Sequence, residues 1–313
     1  MVPAARYHSG MSREHGSSAR AILYAFLANF GIAVTKTAAA VYTNSGSMLA
    51  EAIHSYADCT NQVLLFLGLK QAAKPATPEH PLGFGKAGYF WSFIVALLLF
   101  SIGGLFSIYE GWHKLHAPEP LHKAWIALGV LGVAILLETA SLLGCLREIA
   151  RMRGQQTFPD WLRHTRNAEL VVVLGEDIAA LAGLVIAFAF VSLAAVTGDT
   201  RWDAIGSIAI GVVLILVAAF VAARIRKLLI GKSAEPRLRE SIDRLIAADP
   251  AIEELLNTIT LQMGPQILLA AKIRMRPGLM IDAAVDRINE LERRIKQAHP
   301  EVGWCFIEPD ISD

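Results

Sequence analysis

Charge is scarce in this chain. Of its 313 residues 18% are charged and 54% are hydrophobic, and the mean hydropathy is +0.44, whereas a soluble domain carries about a quarter charged residues. Net charge is equally low: a formal +1 gives no case for a nucleic-acid partner, which would leave a basic stripe, and none is expected. Cysteine is rare too. Cys59, Cys145 and Cys305 lie far apart and none belongs to a CxxC pair, so neither a disulfide framework nor a thiolate metal site is expected. No HExxH motif occurs, which removes the commonest signature of a helical metalloprotease. The first twenty residues, MVPAARYHSGMSREHGSSAR, lack a short apolar core ahead of a small-residue cleavage site, so they read as a cytosolic tail in place of a signal peptide.

What is present is apolar sequence in long runs. A helix needs about 20 mostly apolar residues to cross the hydrocarbon core, and six stretches qualify, at roughly 21–43, 47–71, 88–112, 122–146, 168–196 and 203–224. The turn Thr43-Asn44-Ser45-Gly46 joins the first two as a hairpin, and the Pro- and Gly-containing KQAAKPATPEHPLGFGK separates the second from the third. HAPEP and TGDTR punctuate later boundaries. Lys and Arg in short loops set orientation. Arg6, Arg13 and Arg20, then Lys70, Lys74 and Lys86, then Arg147, Arg151, Arg153, Arg163 and Arg166, and finally Arg224, Arg226, Lys227 and Lys232 fall on one side, against Lys114, Lys123 and Arg201 on the other. Both termini are therefore expected in the cytoplasm, and the compact chain suggests a multi-pass protein of a bacterial inner membrane.

Beyond residue 232 the pattern changes. PRLRESIDRLIAA reads as an amphipathic helix, NTITLQM and AAKIRMRP alternate with period two, Ile281, Val285, Ile288, Leu291 and Ile295 follow helical spacing, and VGWCFI closes as a strand. The order αββαβ predicts a small open sheet with two helices on one face. The domains expected are a tail at 1–20, a six-helix membrane domain at 21–232 and an α+β domain at 233–313. The last is so short that dimerisation is a natural source of further burial.

Ionisable side chains inside a membrane are costly and need a partner or a purpose. The second stretch, SMLAEAIHSYADCTNQVLLFLG, holds Glu51, His54 and Asp58, which fall within roughly 60° of one another around a helix. His54 and Asp58, four apart, can set an imidazole nitrogen and a carboxylate oxygen on one ion, a pairing that suits Zn²⁺ or a similar first-row metal. In the fifth stretch Glu176 and Asp177 are adjacent, so at most one faces the second helix squarely. The competing reading is that these groups pair with one another or with Lys36 as buried polar glue. Glu138 reads as an interhelical hydrogen-bonding group.

At these residues the chain resembles a known family. NSGSMLAEAIHSYADCTNQ followed by HPLGFGKAGYFWSF is similar to the second helix and following loop of the cation diffusion facilitator transporters. The resemblance implies six transmembrane helices with a C-terminal cytoplasmic αββαβ ferredoxin-like, metallochaperone-like domain, homodimerisation, and export of a divalent cation by alternating access with proton antiport. Zn²⁺ comes first on family frequency; Mn²⁺, Fe²⁺ and Co²⁺ remain open on ligand chemistry. It further implies a tetrahedral transport site in which His54 and Asp58 form one ligand pair and Asp177 belongs to the other. Val173 stands four before Asp177, where many members have a histidine or aspartate. Glu176 is then the first candidate for the fourth ligand, followed by water, Asn44 or Glu51, and His54 is the expected proton carrier. In the loop before the third helix only His80 matches a ligand of the additional site some members carry, and in the tail Lys272, Glu308 and Asp310 occupy positions comparable with another. Neither extra site is expected. Two rivals are an intramembrane metalloenzyme built on His54, Asp58 and Asp177, and a membrane metal sensor or scaffold that has lost transport.

Overall fold

The computed structural model describes residues 29–117 and 123–312. The N-terminal tail, the start of the first apolar stretch and most of HAPEP lie outside the described residues. Helix α1 covers 29–43. A turn follows in which Asn44 adopts a left-handed φ of 56°, a conformation asparagine tolerates. Helix α2 is Gly46–Ala72. Helix α3 runs Ala87–His116 and is interrupted at Leu99–Leu105 by a π-helical segment. Helix α4 is Ala124–Arg153, α5 the short Phe158–His164, α6 Ala168–Thr197 and α7 Arg201–Ile230.

Among the described residues four helices, α3, α4, α6 and α7, are long and apolar enough to cross a membrane. Six were expected. Helix α2 has the length, 27 residues, but Glu51, His54, Asp58, Asn61 and Gln62 lower its apolarity, and α1 is described only over 29–43, too short to span by itself. The shortfall of two thus falls on the first stretch, described only in part, and on α2, which carries candidate ligands.

The chain divides into two compact units. One holds the described residues up to Leu67 with Trp91–Met152 and Leu170–Ala222. Its core joins Met48, Leu99, Leu131, Leu184, Ile210 and Leu214. Small residues let α3 and α7 meet backbone to backbone, since a Cβ on Gly211 would lie 2.6 Å from the Gly104 carbonyl oxygen. Ser45 caps α2 by accepting a hydrogen bond from the Met48 amide at 3.2 Å.

The second unit comprises Gly68–Phe90, Arg153–Glu169 and the chain from Ala223 onward. It contains helix α8 (Pro236–Ala247), strands β1 (Ile252–Met263) and β2 (Gln266–Met275), helix α9 (Ile281–Ala298) and strand β3 (Val302–Pro309). This is the αββαβ order expected. The sheet runs β1-β2-β3, antiparallel between β1 and β2 and parallel between β2 and β3. Ile242 and Ile246 of α8 and Leu291 and Ile295 of α9 share one core with Leu269 and Ile273 of β2. Lys272 pairs with Asp310 at 2.9 Å. The Cys59, Cys145 and Cys305 thiols are free and buried.

Candidate metal site on the second and fifth apolar stretches

Two contacts set the register of α2 against α6, the fifth apolar stretch. Asn61 Nδ2 donates to Glu176 Oε1 at 2.6 Å. Ten residues earlier on α2, the Glu51 carboxylate lies against Gly183, where any Cβ would collide with it. As α2 numbers fall α6 numbers rise, so the helices are antiparallel, and His54 and Asp58 lie on the α2 segment bracketed by these contacts. A larger residue at position 183 would push the Glu51 carboxylate from this place.

Within this segment His54 Nδ1 stands 3.7 Å from Asp58 Oδ1, longer than a hydrogen bond. Both His54 ring nitrogens, Asp58 Oδ1 and Asp177 Oδ2 are buried and have no hydrogen-bond partner among the described residues. The other Asp177 oxygen accepts from Ser141 Oγ of α4 at 3.2 Å. Glu176 is thus the α6 carboxylate that faces α2 squarely, and Asp177 turns toward α4. Among the described residues no three His, Cys, Asp or Glu side chains gather closely enough to enclose an ion. The helices carry donors for a metal without closing them on one point.

The competing pairing accounts for Glu51. Lys36 of α1 is buried, with Nζ 3.3 Å from Glu51 Oε2 and donating to Ser55 Oγ at 2.9 Å. Lys36 thus partners one Glu51 oxygen, while the other Glu51 oxygen, the His54 ring nitrogens and Asp58 Oδ1 have no hydrogen-bond partner among the described residues. Asn44, another candidate for the fourth ligand, sits in the α1–α2 turn and its carbonyl accepts from Lys114 Nζ at 2.5 Å. Val173 offers no donor atom. Glu138 interacts electrostatically with Asp58, His54 and Asp177, and Glu176 with Asp58 and Asp177. Carboxylates placed this close disfavour one another's ionisation, and a divalent cation between them would offset that effect.

Three residues at or near the site were not singled out in the sequence. Asn61 lies three after Asp58 on the same helical face, a spacing that was readable. Ser141 lies three after Glu138 on α4. Asp203, in the first turn of α7, is the third: its carboxylate accepts from Ser45 Oγ at 2.7 Å, the Gly46 amide at 2.5 Å and the Ser47 amide at 3.2 Å. A carboxylate at a helix N-terminus satisfies orphan amides and complements the dipole, so Asp203 moors the start of α2. Elsewhere, the His80 ring packs on Phe84 with centroids 4.4 Å apart.

Residues 22–230 match the family described as the cation efflux transmembrane domain. The chain is 34% identical over 262 residues, 83% of its length, to the mitochondrial proton-coupled zinc antiporter SLC30A9 of Xenopus laevis, of which the match covers 46%. It is 32% identical to metal tolerance protein C4 of Arabidopsis thaliana, covering 79% of this chain and 55% of that one. It is 26% identical to the cation-efflux pump FieF of Cronobacter sakazakii across 93% of this chain and 92% of the pump. The chain spans about half the length of the first two of these relatives.

Proposed function

Because the chain belongs to the cation efflux family, we propose that it is a transporter, not an enzyme, that moves a divalent metal ion, Zn²⁺ foremost, out of the cytoplasm in exchange for protons. The observation that carries this reading is the set of buried donor atoms on His54, Asp58 and Asp177 with no hydrogen-bond partner. A buried polar group left unpaired costs about 1–3 kcal/mol, a cost that a passing cation removes. The relatives named as a zinc antiporter and a cation-efflux pump support the same direction.

In this reading 21–232 is the transport domain and 233–313 a tail through which two copies associate. His54, Asp58 and Asp177 ligate the metal, and Glu176 supplies the fourth contact by exchanging its bond from Asn61 for the ion. Ligands must be deprotonated to bind, so metal arriving from the cytoplasm displaces protons, and protons from the far side displace metal once the helices rock. His54 is the proton carrier, since the ordinary imidazole pKa lies nearest ambient pH. One imidazole among carboxylates suits Zn²⁺ and also accommodates Mn²⁺, Fe²⁺ and Co²⁺. The basic loops support cytoplasmic termini, and a bacterial inner membrane is the setting in this reading.

The test is flux into proteoliposomes holding the purified protein, with the four metals compared under an imposed pH gradient. Zn²⁺ uptake that follows the gradient and slows when an ionophore collapses it is expected. Uptake indifferent to the gradient would overturn the exchange, and no flux of any metal would overturn transport.

A further inference from the structure

Away from the candidate metal site, the second unit gathers cations where the chain leaves α7 and where it approaches α6. Arg224 Nη1 and Lys232 Nζ both donate to the main-chain carbonyl of Arg163, each at 3.3 Å. Two cationic groups sharing one oxygen stand at most twice that distance apart. Beside them the Arg166 guanidinium is engaged by carbonyls: Nε donates to Ser233 at 2.7 Å, Nη2 to Ala234 at 3.1 Å and Nη1 to His164. The ion pairs of the described residues all lie elsewhere. Burial, with the fields of Arg166, Arg224 and Lys227 opposed by Glu235, holds the Lys232 amine down to about 8. Carbonyls at the end of α5 attract one cation, but a second on the same oxygen adds a repulsion that Glu235 opposes only in part and that a bound anion lowers further.

This cluster flanks the ends of two apolar helices, α6 and α7, at the depth where phosphate headgroups lie when those helices span a bilayer. Basic pockets at such positions recognise anionic headgroups. We propose that Arg224 and Lys232, with Arg166 and Lys227 beside them, bind the phosphate of an anionic membrane lipid. A phosphodiester held there ties the end of α7 to the α5–α6 connection and to the chain leading into the tail. Inorganic phosphate offers the same chemistry, so the test separates the two sources.

The intact protein is placed in nanodiscs of phosphatidylcholine alone, of phosphatidylcholine with phosphatidylglycerol, or of phosphatidylcholine with inorganic phosphate added. Acylation of individual lysines at pH 8 is followed by peptide mass spectrometry. Phosphatidylglycerol is expected to slow labelling of Lys232 about fivefold while leaving the exposed loop residue Lys74 unchanged. Arg224→Gln is expected to abolish that protection, and Arg224→Lys and Arg226→Gln to keep it. Equal slowing at Lys74, or equal loss in Arg224→Gln and Arg226→Gln, would reduce the effect to a general surface field and overturn the site. Protection by inorganic phosphate as strong as by phosphatidylglycerol would overturn the lipid as its source, and no slowing in any disc would overturn both.

Discussion

On α2 and α6 partnered and unpartnered polar atoms stand side by side. One Glu51 oxygen has Lys36, Glu176 has Asn61, and one Asp177 oxygen has Ser141, while the His54 ring nitrogens, Asp58 Oδ1, the second Asp177 oxygen, and also Glu51 Oε1, Asn61 Oδ1 and Gln62 Oε1, have no partner among the described residues. The partnered groups define what the unpartnered ones can do. Groups that orient metal ligands typically alter affinity or activity by about 10–100-fold when removed. Asn61→Ala is accordingly expected to lower the apparent metal affinity at least about tenfold with the protein still folded. A Zn²⁺ titration of flux checks it, and parent-like affinity would show that Glu176 needs no positioning. Lys36→Met leaves Glu51 buried without its cation and is expected to cost about 3–5 kcal/mol. Adding Glu51→Gln removes the stranded charge, so the double variant should recover most of that loss in thermal unfolding in detergent. If the double variant unfolds as early as the single, the pair is not the reason both residues are there.

At the scale of elements, the helix spacing announced the face of α2 but not its neighbours. His54 and Asp58 share a face because they are four apart, and that was legible from sequence. That Glu176, not Asp177, faces α2 depends on how α6 is rotated and how far it is shifted along α2, and neither is encoded in local spacing. Asp203 went unread for the same reason, since it acts on Ser45, Gly46 and Ser47 from a helix more than 150 residues away in the chain. Asp203→Ala strands three donors at the start of α2 and is expected to destabilise the protein by about 1–3 kcal/mol, with Asp203→Asn milder because one carbonyl oxygen remains. Thermal unfolding of both variants checks this. An Asp203→Ala protein as stable as the parent would mean that α2 is held by its packing alone.

For the molecule as a whole, the αββαβ order of the tail was readable because periods of two and of 3.6 alternate cleanly there. The spans were harder. Apolarity alone finds α3, α4, α6 and α7, and passes over α2 because the residues that make it a candidate site make it polar. The second unit was not foreseen either: it draws the α2–α3 connection and the α5 region together with the tail, through contacts such as Tyr89 to the Gly264 carbonyl at 3.1 Å, which no reading along a contiguous chain displays. The central claim is that His54, Asp58 and an α6 carboxylate carry a metal ion through the membrane. The most direct test is Zn²⁺ flux in proteoliposomes with parent, Asp58→Ala and Asp177→Ala proteins reconstituted side by side at matched, folded levels. Parent flux that falls to the protein-free background in Asp58→Ala and by at least about tenfold in Asp177→Ala is the predicted result; parent-like flux in Asp58→Ala would contradict the claim.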